Sequence, residues 1–185
     1  NTRGQKQFPP EVKTVNKVYA THAEFVAPQF NPWATCPITF DHRDYTTSIQ
    51  HGGSAALVLD PIIDGYRLTR VLMDGGSSLN LIYQDTIRRM GIDPSRISQN
   101  NATFNGVIPG VKAHCWGSLV LEVTFGSPDN FRRENLLFNI APFSSDYHAL
   151  LGRPTFACFN AIPNYACLKL KMPGPRGVIT VSGNT

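Results

Sequence analysis

The sequence predicts an all-β domain, folded as an antiparallel barrel or sandwich, and three observations lead to this fold class. The chain has 185 residues, enough for one ordinary domain plus a tail but short for two. Fifteen glycines and fourteen prolines indicate many turns and few long helices. From residue 55 onward, short apolar runs are interrupted by turn residues, which is typical of antiparallel barrels and sandwiches.

The expected strands are short, and turn residues separate them. Asp64 and Gly65 tolerate positive φ and mark a tight hairpin turn. Residues 166–172 alternate apolar and polar side chains, as a half-buried strand does. Residues 104–111 combine two glycines and a proline with apolar side chains and predict a hairpin tip. The predicted strands lie at residues 55–59, 66–73, 79–83, 117–125, 136–140, 147–151, 166–172 and 178–181.

Two short helices and an irregular arm complete the predicted organisation. One helix is expected at residues 84–90, where Gly91 supplies a left-handed cap, and a second one after Arg153. In residues 1–50, five prolines interrupt every candidate element. We therefore predict an irregular N-terminal arm or linker over residues 1–50, in which residues 33–40 dock in extended form, and one domain over residues 51–185.

Composition and charge exclude several function classes. No run approaches the ~18 apolar residues of a membrane-spanning helix, so no membrane partner is expected. The formal net charge of +4 is spread over doublets, which favours a mildly basic surface over nucleic-acid binding. The cysteines show no metal-ligand spacing, so no metal and no cofactor is expected. They are Cys36, Cys115, Cys158 and Cys167.

The cysteines and the N-terminus also predict the compartment. Scattered cysteines without a disulfide framework fit buried, reduced thiols in a reducing compartment. The chain begins at Asn1, with neither an initiator Met nor an apolar signal core. We therefore expect a piece of a longer intracellular protein that is not secreted.

The candidate for chemistry is Asp74, which directly follows the apolar run 71–73 and precedes only small residues. A carboxylate at the end of a buried strand, on a loop with almost no side chains, is energetically costly unless it is used or paired. The alternative is that Asp74 accepts backbone hydrogen bonds in a glycine turn, as Asp commonly does. The apolar run 149–151, followed by Gly152 and Arg153, favours the functional interpretation.

Together these residues resemble the retropepsins, the aspartic proteases of retroviruses and LTR retrotransposons, and most closely those of plant Ty3/gypsy-type polyproteins. In that family an apolar pair precedes Asp-Thr/Ser-Gly, a glycine-bearing flap follows, and two hydrophobic residues precede a Gly-Arg pair before the C-terminal helix. The resemblance covers residues 51 to 181. The matching segments are 72–77, 104–111, 150–155, 168–173 and 177–178.

The resemblance implies a closed retropepsin-like (acid protease) β-barrel with one or two short helices, preceded by the irregular arm, and Asp74 as the catalytic residue. It also assigns an active-site loop, a substrate-binding flap and a structural support. These are, respectively, Gly75, Gly76, Ser77 and Ser78; Asn105, Gly106, Val107 and Gly110; and Leu150, Leu151, Gly152 and Arg153.

The resemblance further implies a role for several of these side chains. Gly76 lets the backbone come close to the catalytic carboxylate. In pepsin-like members the residue matching Ser77 donates a hydrogen bond to that carboxylate, which predicts an acidic pH optimum. Leu150 and Leu151 are expected to pack in the core beneath the loop, and Arg153 to anchor the loop through a buried polar contact.

Catalysis of this kind predicts a homodimer. Aspartic proteolysis uses two carboxylates that share a proton across an activated water. The chain has one Asp-x-Gly and no internal repeat, so Asp74 of two copies must meet at a two-fold axis. The expected partners are therefore a second copy and an extended peptide of a polyprotein, in the cytoplasm or inside a virus-like particle.

Gly75 is a departure from the family pattern. The family has Thr or Ser there, whose hydroxyl bonds across to the partner's loop, so glycine loses side-chain bonds of ~1 kcal/mol each. Two hypotheses remain open at this point: an aspartic endopeptidase that cuts its own polyprotein, and a catalytically inactive dimerisation or peptide-binding module. A third, nucleic-acid binding, rests only on charge.

Overall fold

Thirteen strands and two α-helices form the described part of the computed structural model, which comprises residues 35–45, 53–99, 103–105 and 112–184. The predicted mostly-β fold with two short helices is confirmed. Single 3₁₀ turns lie at His42–Asp44 and Pro94–Arg96. The helices are α1 (Gln84–Met90) and α2 (Arg153–Phe159). The strands are β1 (Val58–Leu59), β2 (Ile62–Ile63), β3 (Tyr66–Arg67), β4 (Val71–Met73), β5 (Leu81–Tyr83), β6 (Thr103–Asn105), β7 (Lys112–His114), β8 (Ser118–Ser127), β9 (Asn130–Ala141), β10 (Ala149–Leu151), β11 (Ile162–Asn164), β12 (Lys169–Gly174) and β13 (Gly177–Ser182).

Eight strands form one curled sheet in the order β1-β4-β10-β5-β9-β8-β2-β3. β1 and β2 lie toward opposite ends of this order, although only Asp60 and Pro61 separate them in the sequence. The two ends of the sheet must therefore approach each other, and the sheet curls into a half-barrel. Within the described residues β1 and β3 are the two edges of this sheet, so the chain connection brings the ends together.

Two strand pairs in this sheet are parallel, which corrects the antiparallel arrangement predicted from the sequence. β10 runs parallel to β4 and antiparallel to β5, and β5 runs parallel to β9. β10 is therefore inserted between β4 and β5, which are consecutive in the sequence. Local patterns predict each strand but not this order, because insertion depends on contacts between residues far apart in the chain.

The core lies inside the curled sheet and beneath α2. Side chains alternate along β8, so that one face of the strand is directed inward. Phe125 packs edge-on against Phe159 of α2, with ring centroids 5.0 Å apart. Burial of such apolar surface is the main favourable term in folding. The buried apolar residues of β8 are Leu119, Leu121, Val123 and Phe125.

Two local predictions are confirmed in detail. The helix α1 spans Gln84–Met90 as predicted, and Gly91 ends it in the left-handed conformation with a φ of 63°. The hairpin of β2 and β3 turns at Asp64 and Gly65, whose φ values are 50° and 82°. Both features depend on residues that are adjacent in the sequence, which is why the sequence predicts them well.

Other strand boundaries differ from the prediction. β9 begins at Asn130 rather than at residue 136, because it pairs along its length with β8 in one long hairpin. Residues 165–168 form a turn, and β12 begins only at Lys169. β11 was not predicted; it is an edge strand that contains Pro163, and an edge position tolerates the missing N–H.

A second sheet, β11-β12-β13, holds part of the N-terminal arm. The Nζ of Lys171 on β12 lies 2.7 Å from Asp44 Oδ1 and donates a hydrogen bond of 2.8 Å to the Thr39 carbonyl. It also lies 4.8 Å from the centroid of the Phe40 ring. The hydrogen bond from Lys171 lowers the pKa of Asp44. Lys171 thus joins residues 39–44 of the arm to the domain.

The remainder of the arm lies outside the described residues, which include neither 1–34 nor 46–52. Only residues 35–40 of the predicted docking segment 33–40 are described, and the domain boundary after residue 50 stays a prediction. In the described ranges, neither helix is both long enough and apolar enough to cross a membrane.

The cysteines match the expectation of buried thiols at two positions. Cys115 and Cys167 are buried, whereas Cys36 and Cys158 are half-buried, and all four are free thiols. Burial raises the pKa of the Cys115 and Cys158 thiols, which makes both weaker nucleophiles at neutral pH.

Candidate active site

The loop 74–80 carries Asp74 across the end of strand β10. It begins where β4 ends and leads into β5, and β10 lies between these two strands. Because β10 is parallel to β4 and antiparallel to β5, both ends of the loop lie at the carboxyl end of β10. The loop therefore passes directly over the residue that follows β10, which is Gly152.

Gly152 has no room for a side chain. A Cβ atom there would lie 2.7 Å from the Ser77 carbonyl oxygen and closer still to that of Leu79. Both are backbone atoms of the overlying loop, so neither can give way without moving the loop. Glycine at this position is thus the condition for the loop to rest on the end of β10.

Asp74 is half-buried and held by backbone groups on both sides. Its N–H donates to the Leu151 carbonyl at 2.9 Å, and its Oδ1 accepts a hydrogen bond of 2.9 Å from the Gly76 N–H. A Cβ on Gly76 would lie 3.1 Å from the same Oδ1, so the glycine permits the backbone to approach this closely. Within the described residues Oδ2 accepts no hydrogen bond, so this oxygen is available to a ligand.

The resemblance implies that the Ser77 hydroxyl donates a hydrogen bond to the Asp74 carboxylate, but no such bond is present among the described residues. Its hydroxyl donates to the Leu79 carbonyl at 2.8 Å, and its Oγ accepts from the Leu79 N–H at 3.2 Å. A hydroxyl has one proton to donate, and here the turn of the loop itself uses it. Ser77 therefore shapes the loop, and its neighbour Ser78 is exposed.

Arg153 contacts the loop from the start of α2. Its Nη1 donates to the Gly76 carbonyl at 2.9 Å and more weakly to the Gly75 carbonyl at 3.4 Å, while its backbone N–H donates to Ser77 at 2.9 Å. The side chain is exposed, which corrects the expected buried contact. One nitrogen can reach both adjacent carbonyls because Nη1 carries two N–H groups.

Asn80 is a positioning residue that sequence reasoning missed. Its side chain is 1% exposed, and its Oδ1 accepts hydrogen bonds from the Gly152 N–H at 2.9 Å and the Thr155 hydroxyl at 2.8 Å. Its Nδ2 donates to the Leu137 carbonyl at 3.2 Å. Asn80 thereby joins the end of the loop to β9, β10 and α2. The available signal was one polar residue inside the apolar run 79–83.

Gly75 stands at the exposed tip of the loop. A Cβ there would meet no atom within 4 Å, and its φ lies outside the left-handed region. The described residues therefore leave room for a side chain at this position. The absence of a hydroxyl at Gly75 is a property of the sequence rather than a steric requirement of the single chain.

Leu150 and Leu151 lie beneath the loop at the end of β10. Leu151 is fully buried in the core, and its carbonyl oxygen is the acceptor for the Asp74 N–H. Leu150 is half-buried and is paired in register with Leu72 of β4. Because Leu151 is buried in the core and its carbonyl holds the Asp74 N–H, it sets the distance between the loop and the core. Leu150 remains partly exposed.

The candidate flap is described only at its base. β6 and β7 form an antiparallel hairpin in which Asn105 is paired with Lys112. The predicted flap residues Gly106, Val107 and Gly110 lie outside the described residues. A hairpin is therefore present where the sequence predicts one, and the three tip assignments stay predictions.

The described residues contain no group of three or more His, Cys, Asp or Glu side chains that could hold a metal ion. Around Asp74, the neighbouring groups are backbone N–H and carbonyl groups and the Arg153 guanidinium. The site therefore offers one carboxylate together with backbone donors.

Comparison with known proteins identifies the fold. No protein-family model and no curated protein matches the sequence. The chain is similar to the retroviral protease-like domain of Ddi1 from Leishmania major, with a TM-score of 0.51, 11% sequence identity, and coverage of 71% of this chain and 95% of that chain.

Two further solved structures are similar at lower TM-scores. A retropepsin-like aspartic protease from Rickettsia conorii has a TM-score of 0.46 and 13% identity, covering 71% of this chain and 85% of that chain. The EIAV protease in complex with an inhibitor has a TM-score of 0.42 and 17% identity, covering 60% and 91%. The likeness to the Leishmania domain agrees with the curled sheet and two helices described above. The chain has a retropepsin-like fold.

Proposed function

We propose that this protein is an aspartic endopeptidase whose active site is completed by a second copy of the chain. The observation that carries the proposal is the position of Asp74 in a retropepsin-like fold, half-buried at the end of β4 with its Oδ2 available. Gly75 and Gly76 beside it are exposed, so a second loop can approach without displacing side chains. The Gly76 N–H bond to Oδ1 is also what an Asp in a glycine turn accepts, so the support of the loop by β10 and α2 is what favours the functional interpretation.

The proposed mechanism uses two Asp74 carboxylates that share one proton. The ionised carboxylate removes a proton from a water molecule between them, and the protonated one donates a hydrogen bond to the scissile carbonyl oxygen. The water oxygen attacks the carbonyl carbon, and the C–N bond breaks as the amine nitrogen takes up a proton. The Gly76 N–H orients each carboxylate through Oδ1 and leaves Oδ2 to face the water.

The pH dependence of this mechanism follows from the shared proton. Activity requires one protonated and one ionised carboxylate, so the rate has a bell-shaped pH profile. We propose an acidic pH optimum on the ground of the shared proton alone. The Ser77 hydroxyl gives no support to it, because it donates to the Leu79 carbonyl and not to Asp74.

The proposed substrate is an extended peptide of a polyprotein. A hairpin such as β6–β7 can close over a peptide and add it as a further strand. The resemblance of the Asp74 and Gly152 segments to plant Ty3/gypsy-type retropepsins supports a retrotransposon polyprotein as the source. We further propose that cleavage takes place in the cytoplasm or in a virus-like particle.

A second candidate function is a catalytically inactive dimerisation or peptide-binding module, and Gly75 is the observation that favours it. Without a hydroxyl at this position, each copy loses a bond of ~1 kcal/mol across the dimer axis. Looser loops also align the two carboxylates less well, and a shift of about 1 Å costs roughly 100-fold in rate.

Cleavage of polyprotein-derived peptides between pH 4 and 7 tests the proposal. We expect the purified chain to cut such peptides, Asp74→Asn to abolish cleavage without changing the thermal midpoint, and a statine-type inhibitor to block it. Asp129→Asn, in the exposed turn between β8 and β9, is the matched control and should retain full activity. Peptide binding without cleavage would favour the inactive module, and activity that survives Asp74→Asn would refute the enzyme proposal.

A further inference from the structure

A cavity opens at the end of the β4–β10 strand pair that lies opposite Asp74. Its volume is about 210 Å³, and its walls include Arg70 before β4, His148 before β10, and Arg89 on α1. Arg70 precedes Asp74 by four residues, which is about 13 Å along an extended strand. The cavity is therefore separate from the candidate active site and is independent of the proposed protease function.

Two arginines of this cavity have no anionic partner. Within the described ranges, neither the Arg70 nor the Arg89 guanidinium forms a hydrogen bond or an ion pair. The guanidinium carbon of Arg70 lies 6.0 Å from the centroid of the Tyr147 ring, which fixes its direction without neutralising its charge. Both side chains are exposed on one side. The cavity thus gathers two positive charges and a set of unused donors.

His148 supplies a third unused group. Its Nδ1 is buried and has no hydrogen-bond partner within the described part of the chain. Partial burial, and then the charges of Arg89 and Arg70, lower the pKa of His148. The two cations disfavour the protonated form of the imidazole. An anion in the cavity would offset their charge and favour that form.

The acidic residues at the cavity do not fill this role. Asp85 forms an ion pair with Arg88 at 3.3 Å and accepts a hydrogen bond from the Ser144 hydroxyl at 2.8 Å. Asp146 is exposed and forms no ion pair with a described residue. The guanidinium groups of Arg70 and Arg89 thus stay without an ion-pair partner among the described residues, although both carboxylates line the same cavity.

We propose that this cavity binds a phosphate-type oxyanion, free or as a phosphomonoester, between the guanidinium groups of Arg70 and Arg89 and beside the His148 imidazole. Guanidinium groups bind phosphate through paired, charge-assisted hydrogen bonds. Phosphate carries a charge of about −1.5 to −2 at pH 7, which two arginines offset. A planar carboxylate carries one charge and presents fewer oxygens to the two guanidinium groups.

Titration with inorganic phosphate at constant ionic strength tests this site. The full chain is prepared in phosphate-free buffer, and the ring signals of His148 are followed by NMR. The signals that disappear in the His148→Gln variant identify those of His148. We expect a saturable shift with a Kd below ~1 mM and a rise in the pKa of His148 as phosphate binds. Arg70→Gln and Arg89→Gln should each weaken binding by ~10-fold or more.

Matched controls separate a specific site from general attraction to a basic protein. Arg176→Gln removes the same charge from the turn between β12 and β13 and should leave the Kd within about twofold, as expected for a distant charge screened by salt. Methyl phosphate distinguishes an ester from the free ion as the natural source, and binding of either supports the site. The proposal is overturned if phosphate causes no saturable shift, if acetate binds as tightly, or if Arg176→Gln weakens binding as much as Arg89→Gln.

Discussion

The two ends of the parallel β4–β10 pair differ in how their polar groups are satisfied. At the carboxyl end, Asn80, Gly152 and Arg153 use their donors and acceptors within the protein, and Asp74 keeps one oxygen available. At the amino end, the Arg70 and Arg89 guanidinium groups and the Nδ1 of His148 have no hydrogen-bond or ion-pair partner among the described residues. The first end is a loop supported by groups within the protein, with one carboxylate oxygen available, and the second is a cavity with two guanidinium groups that form no ion pair with a described residue.

On the two proposals made above, one strand pair carries two kinds of site. A carboxylate used in catalysis must be held in one direction, which requires a rigid support beneath it. A site for an exchangeable anion requires donors that no internal group satisfies. Substitutions in the support of the loop, at Asn80 or Gly152, should therefore affect stability and activity together, whereas those at the amino end should affect ligand binding and pH dependence.

The largest effect is expected for Asp74→Asn in mixtures with the parent chain. General acid–base groups contribute ~100- to 10,000-fold in rate, so the pure variant should lose at least ~1,000-fold when both groups of the dyad change. With a ninefold excess of variant, random pairing leaves about a tenth of the parent subunits in parent homodimers, so activity per parent subunit should fall to about a tenth. If activity per parent subunit stays constant as the variant is added, the two copies do not share an active site.

The next largest effect is expected for Gly152→Ala. The added Cβ meets the carbonyl oxygens of Ser77 and Leu79, so we expect a loss of about 3 kcal/mol in the free energy of unfolding and a large loss of cleavage. Urea unfolding followed by circular dichroism measures the first. Gly75→Ala is the control, because its Cβ meets nothing within 4 Å; its stability should stay within about 0.5 kcal/mol. Equal losses of stability for the two variants would contradict the proposal that the close contact of Gly152 with Ser77 and Leu79 supports the loop.

Asn80→Ala tests the polar support of the loop. It leaves the Gly152 N–H, the Thr155 hydroxyl and the Leu137 carbonyl without their partner, so we expect a loss of about 2 kcal/mol in stability. The rate of cleavage should fall more than the affinity for substrate. Asn135→Ala, at an exposed position of β9, is the control and should be nearly neutral. A neutral Asn80→Ala would show that backbone contacts alone hold the loop.

Gly75→Ser asks whether the missing hydroxyl limits dimerisation. The position is open, so stability of the single chain should hardly change. Two recovered bonds of ~1 kcal/mol each predict a dimer that is roughly 30-fold tighter, measured by sedimentation velocity. An unchanged dimer Kd would mean that the loops do not meet across the axis.

The smallest effect is expected for the pH dependence at His148. Its pKa is lowered by partial burial and by Arg89 and Arg70, so between the folded pKa and the ordinary value near 6.5 the unfolded state binds more protons. The contribution of His148 to the free energy of unfolding is therefore fully present above pH 6.5, and it is lost as the pH falls through the pKa of the folded state. In phosphate-free buffer, His148→Gln should flatten this part of the stability profile. An unchanged profile would show that the imidazole titrates as in the unfolded chain.

The sequence predicts those features that depend on neighbouring residues. Gly91 ends α1 and Asp64-Gly65 turns the β2–β3 hairpin through their own backbone preferences. The position of Asp74 after an apolar run likewise predicts a carboxylate at a strand end. In each case, the physical cause lies within a few residues of its effect.

Features that depend on distant partners could not be predicted in the same way. The role of Asn80 exists only because Gly152 and Thr155 are brought beneath it, and the strand order follows from the same insertion. Ser77 is an intermediate case, because two acceptors compete for one hydroxyl proton and the local turn takes it. The unpartnered Nδ1 of His148 also depends on which groups α1 places around it.

During synthesis, the ribosome releases β4, the loop and β5 well before it releases β10. Until Leu151 and Arg153 have emerged, the Asp74 N–H lacks its acceptor and the loop carbonyls lack their donor. A nascent chain that ends before residue 155 therefore cannot hold Asp74 in its final position. If the protein is a protease, this order of emergence delays its activity until most of the domain has left the ribosome, and neighbouring nascent chains are spared.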